Sequence, residues 1–265
     1  MSLGTYEDRF GGIARLVGNQ GVERLRDAHV AVVGIGGVGC WTVEALARTG
    51  VGTLTLIDLD ELCINNVNRQ LHALESTVGQ AKVDVMAERI RQIQPTCQIN
   101  AVQDFFTSKT AEALFDTGFD VVVDAIDSAR SKALLIAMCK ERGVPIVVCG
   151  GAGGRLDPGK IIVEDLNRTS GDGLLRRIRD LLRTDHGFLR NPKWHIPTVC
   201  STEAPKWPTA EGEICEAGPG RVNGAKPGKG FRLDCNTGYG AATFVTGAMG
   251  FRAAAIATEM ILNKA

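Results

Sequence analysis

The chain of 265 residues carries no net formal charge, and aromatic side chains make up only 5% of it. No global field therefore draws it to nucleic acid or to an anionic membrane, and any such contact must come from a local patch. Its eight cysteines include no CxxC pair, which removes the usual signature of a zinc knuckle, and no zinc is expected. Cys40, Cys139 and Cys149 fall inside apolar segments, where a thiol packs as a small hydrophobe. The N-terminus shows no leader-like run, so the sequence predicts a reduced, cytoplasmic setting. A long apolar run is also missing. The best candidate, residues 236–251, is broken by glycines and followed by Arg252 and Glu259, short of the roughly 20 apolar residues that span a bilayer. That stretch predicts a buried or dimer-interface helix, with membrane association as the lesser alternative.

What is present is an ordinary globular composition, 44% apolar and 23% charged. Helical pieces around residues 6–16 and 22–26 precede the first apolar strand, 30–33. From there strands (54–57, 99–102, 121–123, 144–149) alternate with helical segments (40–49, 79–94, 108–115 capped by Ser108, 131–142). Alternation of this kind predicts an α/β fold, a Rossmann-like mostly parallel sheet with helices on both faces. Beyond it lies a C-terminal extension: a strand at 160–164, a helix over 172–183, a stretch rich in Pro, Gly and Lys over 184–230, and an Ala-rich helix over 240–262. The expected division is an N-terminal helical segment (1–28), an α/β core (29–155) and a C-terminal region (156–265) with a mobile segment at 184–230.

The densest chemistry runs from Val30 to Gln70. A strand leads into Gly34-Ile35-Gly36-Gly37-Val38-Gly39, a helix follows, and a second strand ends on Asp58. Glycines at such a turn let backbone N–H groups approach phosphate, and the helix N-terminus adds partial positive charge. An acid about 20 residues on suits ribose hydroxyls. Two readings follow. In a nicotinamide dehydrogenase the turn would hold a diphosphate, yet none of the four histidines lies after Asp127 at a strand end to serve a hydride transfer. In an adenylating enzyme it would hold ATP, which needs cations and a magnesium ligand; Arg69, Lys82 and Asp127 offer them. The strand-end positions of Gly34–Gly39, Asp58 and Asp127 place all three at one edge of the sheet.

Five blocks then carry a resemblance: the glycine turn, Ile57-Asp58-Leu59-Asp60, Asn65-Asn66-Val67-Asn68-Arg69-Gln70, Val78-Gly79-Gln80-Ala81-Lys82 and Asp124-Ala125-Ile126-Asp127. Together they resemble the adenylation core of the ubiquitin-activating-enzyme superfamily, which includes the ThiF and MoeB proteins. With Arg9-Phe10-Gly11-Gly12-Ile13-Ala14-Arg15-Leu16, Cys200-Ser201-Thr202-Glu203-Ala204 and 234–243, the chain is most similar to the tRNA threonylcarbamoyladenosine dehydratase family. That resemblance implies ATP-dependent cyclisation of threonylcarbamoyladenosine beside the tRNA anticodon, a homodimer, and ATP with Mg²⁺. Gly34, Gly36, Gly37 and Gly39 would line the phosphates and Asp58 the ribose. Asp60, Asn66, Arg69, Gln70, Lys82 and Asp127 would position triphosphate and magnesium. Arg9 or Arg15 would stand for the arginine that reaches a partner's ATP, since Gly12 occupies the usual second position of that block. Cys235 falls where some superfamily members hold a thioester-forming cysteine, and is otherwise a buried structural thiol. The basic side chains Arg176, Arg177, Arg179, Arg183, Arg190 and Lys193, with Arg221, Lys226, Lys229 and Arg232, are candidate tRNA contacts, and Trp194 and Trp207 candidate stacking platforms. The competing implications are adenylation of a sulfur-carrier protein's C-terminus, against which the missing CxxC pairs count, and a nucleotide-sensing partner of a cysteine-desulfurase system.

Overall fold

The computed structural model describes residues 4–115, 118–208, 214–215 and 240–264. The elements run α1 (Tyr6–Asp27), β1 (His29–Val33), α2 (Gly39–Thr49), β2 (Thr53–Ile57), α3 (Lys82–Ile93), β3 (Gln98–Val102), α4 (Ala111–Phe115), β4 (Val121–Asp124) and α5 (Ala129–Arg142). They continue with β5 (Ile146–Cys149), β6 (Ile161–Asp165), α6 (Gly173–Asp185), β7 (Pro197–Ser201), the short β8 (Trp207–Pro208) and β9 (Ile214–Cys215), and α7 (Thr243–Leu262). Seven strands form one sheet in the order β3-β2-β1-β4-β5-β7-β6, and only β6, at an edge, runs antiparallel to its neighbour. The strand order reverses at β1, with β2 on one side and β4 on the other, which opens a crevice at the carboxyl ends of these strands.

Both faces of the central strands are apolar, as a sheet sandwiched between helix layers requires. One layer buries Leu25, Val43, Leu46, Met86, Val245 and Met249 against Val30, Val32, Leu54 and Val123. The other buries Leu135, Ile136, Leu175, Ile178 and Trp194 against Ala31, Val33, Val122 and Val148. The Tyr6–Asp27 segment breaks at Gly18, where φ is 76°, so it is two helices meeting at a kink, matching the two expected pieces.

Four differences from the sequence reading have physical causes. The helix expected from residue 79 starts at Lys82, because Gly79 N–H donates to Leu62 O (2.8 Å) and Leu62 N–H to Gln80 O (2.9 Å). Ser108 caps nothing: Thr107 N–H donates to Thr110 Oγ1 (3.0 Å) and Ala111 N–H to Thr107 O (2.9 Å), so that helix starts three residues later. The stretch read as irregular over 184–230 contains β7, a buried interior strand, so the sheet continues past residue 155 into the C-terminal region. Finally, the last helix starts at Thr243 and not at 240, and of the two places expected for it, buried or at a dimer interface, it takes the first here: its small-residue face packs on α2 of the same chain. A side chain at Gly250 would meet Val38 O at 2.6 Å and Trp41 Cβ at 2.7 Å, and Thr42 Oγ1 donates to Gly250 O (3.1 Å). Among the described residues α7 alone is long and apolar enough to cross a membrane, and 56% of its apolar window is buried in this packing.

Candidate nucleotide site

The glycine turn is tight for steric reasons. Gly34 has φ 89°, and a Cβ there would meet Ala125 backbone at 2.8 Å; a Cβ on Gly39 would lie 1.8 Å from Gly34 O. The turn therefore lies directly against the segment that follows β4. Gly36, by contrast, faces open space, and a Cβ on Gly37 would lie 3.2 Å from Thr246 Cγ2 and 3.5 Å from Arg69 Cγ. The corner is thus open over Gly36, with the methylene stem of Arg69 beside it.

Asp58 follows β2 beside the turn, accepting from Ile35 N–H (2.6 Å) and Asp60 N–H (2.9 Å). Burial raises its carboxyl above the ordinary carboxylate range, while the Lys82 ammonium and these two bonds pull it back. Lys82 is buried at the N-terminus of α3, where its Nζ lies 2.8 Å from Asp60 Oδ2. Only 7% of the lysine side chain is exposed against 57% of the aspartate, so the buried lysine head is held by a carboxylate that faces solvent. Arg69 donates to Asn65 O (2.7 Å) and Asn68 Oδ1 (2.8 Å), and its own carbonyl accepts from Trp41 Nε1 (3.2 Å). Asn66 is buried and holds its turn, accepting from Cys63 N–H (3.1 Å). Gln70 is buried with Oε1 unpartnered among the described residues. Asp127 stands exposed on the loop after β4, across the crevice from Asp58.

Nothing in the sequence pointed to Lys132. It is fully buried in α5, its Nζ 2.8 Å from Asp124 Oδ1, 3.0 Å from Asp124 O and 3.2 Å from Ile126 O. With Ala125 N–H donating to Val33 O (2.8 Å), it pins the loop that carries Asp127 and supports the glycine turn. Burial pushes the Asp124 carboxyl up to about 6, against the pull of Lys132. His72 was missed as well: it is buried with both ring nitrogens unpartnered among the described residues. Burial, then the Lys82 and Arg89 charges, drives its imidazole down to about 3.

The glycine-rich segment after β5 is a braced corner. Gly151 N–H donates to Asp172 Oδ2 (2.9 Å), Arg155 lies 3.5 Å from the same carboxylate, and Glu203 accepts from Leu156 N–H (3.0 Å) and Asp157 N–H (2.8 Å).

The arginine row of α6 divides. Arg176 and Arg177 are exposed, whereas Arg179 donates to Thr169 Oγ1. Arg183 donates to Asn167 Oδ1 (2.7 Å) and stacks 5.4 Å over Trp194, so these last two serve the fold. Trp194 is buried against Phe188, which makes it an anchor and not a stacking platform; Trp207 lies in β8. In α1, Arg9 donates to Ile93 O (3.2 Å) and Arg15 is exposed. Cys235, Arg221, Lys226, Lys229 and Arg232 lie outside the described residues. Burial pushes the thiols of Cys40 and Cys149 up to about 12, as expected of cysteines that pack as hydrophobes. Among the described residues no three His, Cys, Asp or Glu side chains converge on a metal-sized point.

Comparisons with known proteins give the family. The ThiF family model matches residues 11–170. The tRNA threonylcarbamoyladenosine dehydratase of Escherichia coli (strain K12) is 47% identical over 262 residues, covering 98% of this chain and 96% of that protein. The Haemophilus influenzae protein of that name is 42% identical over 99% of this chain and 96% of its own length. A crystal structure of the E. coli dehydratase in complex with ATP superposes with a TM-score of 0.82 at 44% identity, covering 96% of this chain and 94% of that one. By contrast, the E. coli molybdopterin-synthase adenylyltransferase matches at 36% over only 48% of this chain. The chain belongs to the ThiF family and, within it, to the tRNA threonylcarbamoyladenosine dehydratases.

Proposed function

We propose that this chain is an ATP-dependent enzyme that cyclises threonylcarbamoyladenosine in tRNA. One carboxylate oxygen of the modified nucleoside attacks the α-phosphorus of ATP and pyrophosphate leaves. The carbamoyl group of the same side chain then attacks the activated carbonyl carbon, whose bond to the AMP oxygen breaks. The net change is loss of one water, whose oxygen departs on AMP. Both reacting groups belong to one side chain, so ring closure enjoys a high effective concentration and asks little acid–base help from the protein.

The chain's own part is to hold and orient. Backbone N–H groups at Gly36–Gly39 and the start of α2 meet phosphate oxygens, and Arg69 beside Gly37 adds a forked donor. Asp58, fixed by two backbone N–H groups, presents its carboxylate to the ribose hydroxyls. Lys82, held by Asp60, places a point charge where negative charge builds on the α-phosphate. The roofless corner at Gly36 and the unpartnered Gln70 Oε1 fit a nucleotide. Asp127, exposed at the strand end, fits a Mg²⁺ held mostly by phosphate oxygens, as that ion prefers. When bound, magnesium neutralises phosphate charge and favours departure of pyrophosphate. A homodimer belongs to this reading; Arg15 and Leu16 of α1 are exposed and available to a second copy. The setting is the cytoplasm, where such a tRNA would be met.

The observation that carries the proposal is the convergence of the glycine turn, Asp58, Arg69, the Lys82–Asp60 pair and the Asp127 loop at one sheet edge. It is tested by incubating the protein with ATP, Mg²⁺ and threonylcarbamoyladenosine-bearing tRNA and weighing the nucleosides. The modified nucleoside should lose one water with no other protein added. Loss of water only when a sulfur-carrier protein is supplied would move the assignment to carrier adenylation.

A further inference from the structure

The lower end of the β6–β7 pair holds a cleft of about 340 Å³ lined by Arg168, Arg190, Lys193 and His195, with Asn167, Asn191 and Pro192 between them. No acidic residue lines it. All four basic side chains are exposed, and none has an ion pair or side-chain hydrogen bond with the described residues. The floor is built in advance. Asn167 Nδ2 donates to Arg190 O (2.7 Å) and Pro192 O (2.9 Å), while its Oδ1 is taken by Arg183 (2.7 Å). The buried Asp165 carboxylate accepts from Trp194 N–H (3.1 Å) and Ile196 N–H (3.2 Å), holding the strand of chain on which Lys193 and His195 stand. Two guanidinium groups, an ammonium and an imidazole on a fixed frame, without an internal partner among the described residues, are poised for an external anion.

From this geometry we infer that the cleft is a docking point for the phosphodiester backbone of the tRNA substrate, a few nucleotides away from the nucleotide being modified. The inference rests on the proposed tRNA substrate. β6 is four strands from β1 in the sheet, roughly 19 Å at the usual strand spacing, and the cleft lies at the amino end of β7, about one strand length (~16 Å) further from the carboxyl-end crevice. That is too far for the cleft to serve the reacting nucleotide and a suitable reach for the stem that carries it. With zero net charge, electrostatic attraction of RNA has to come from local patches such as this one. Two guanidinium groups suit phosphate, since each presents a rigid fork of donors. Backbone contacts position without reading sequence, so the cleft would set the register of the stem and leave recognition to the active edge.

The test is the folded triple variant Arg168→Gln, Arg190→Gln, Lys193→Gln, with equilibrium tRNA binding measured separately from turnover. Affinity for modified tRNA should fall at least tenfold. The plot of log affinity against log salt should become shallower by about 2, as expected for three lost phosphate contacts. The same loss should appear with tRNA lacking the modification, and ATP binding should not change. Unaltered affinity and salt slope, or a loss confined to modified tRNA, would overturn the proposal. In the parent protein, tight tRNA binding without turnover would count against the catalytic assignment and leave the cleft to be judged by the variant's binding alone.

Discussion

Lys132 Nζ lies 2.8 Å from Asp124 Oδ1, and neither side chain reaches solvent. Two charges are taken out of water beneath the glycine turn, and the lysine also satisfies two backbone carbonyls, Asp124 O and Ile126 O. Removing one partner leaves the other charge buried alone. Lys132→Met should therefore cost about 3–5 kcal/mol in urea unfolding. Adding Asp124→Leu should recover most of that loss, because a paired apolar replacement removes the stranded charge. A single variant as stable as the parent would show that the pair carries no structural duty.

The glycines of the turn should separate by what a methyl group meets. Gly39→Ala would force a Cβ to within 1.8 Å of Gly34 O, so it should destabilise the protein by about 2 kcal/mol or more and abolish ATP binding with it. Gly36→Ala meets nothing within 4 Å and should leave the melting temperature unchanged. It should still raise KM for ATP about tenfold, because the new methyl stands in the phosphate space. Equal ATP affinity in Gly36→Ala and parent would move the phosphates elsewhere.

His72 should make the protein acid-sensitive. Its imidazole sits at about 3 in the fold against 6.5 in the open chain, so between those values only the unfolded chain binds the proton. Its contribution to stability is complete above pH 6.5 and is lost as pH falls, by about 2 kcal/mol at pH 5. Asp124 titrates in the opposite sense over the same range, since its folded carboxyl is raised to about 6. The prediction is therefore a difference. Between pH 7.5 and 5 the parent should lose about 2 kcal/mol more than His72→Gln, measured by urea unfolding. Parallel pH profiles would place a proton on His72 in the fold.

On α6, the exposed pair and the tied pair should behave differently. Arg176→Glu with Arg177→Glu should leave stability unchanged and reduce the salt slope of tRNA binding by about 1.5. Arg179→Gln should instead cost about 1 kcal/mol of stability through the lost bond to Thr169 Oγ1, with no specific effect on tRNA. A stable Arg179→Gln that binds tRNA poorly would return that residue to the RNA surface.

These contrasts show what the sequence could express. The turn from Gly34 to Gly39, Asp58 and Asp127 were legible because their spacing follows from strand, helix and strand lengths, which periodicity reveals. Lys132 was not, because a lysine in a helix ordinarily faces water, and only the neighbouring Asp124, inward on β4, turns it inside. β7 was hidden for a different reason. Pro197-Thr198-Val199-Cys200-Ser201 is a short run between proline- and glycine-rich stretches, and its place beside β5 is set by pairing that is distant in sequence. The division of the α6 arginines depended likewise on Thr169 and Asn167, which fold back from before the helix.

The most direct test of the central claim follows one oxygen atom. Threonylcarbamoyladenosine-bearing tRNA labelled with oxygen-18 in its carboxylate is turned over with ATP and Mg²⁺, and the nucleotide product is weighed. Adenylation of the carboxylate predicts one AMP per ring closed, with a single labelled oxygen on its phosphate. Label found on inorganic phosphate with release of ADP, or ring closure that leaves AMP unlabelled, would contradict the account.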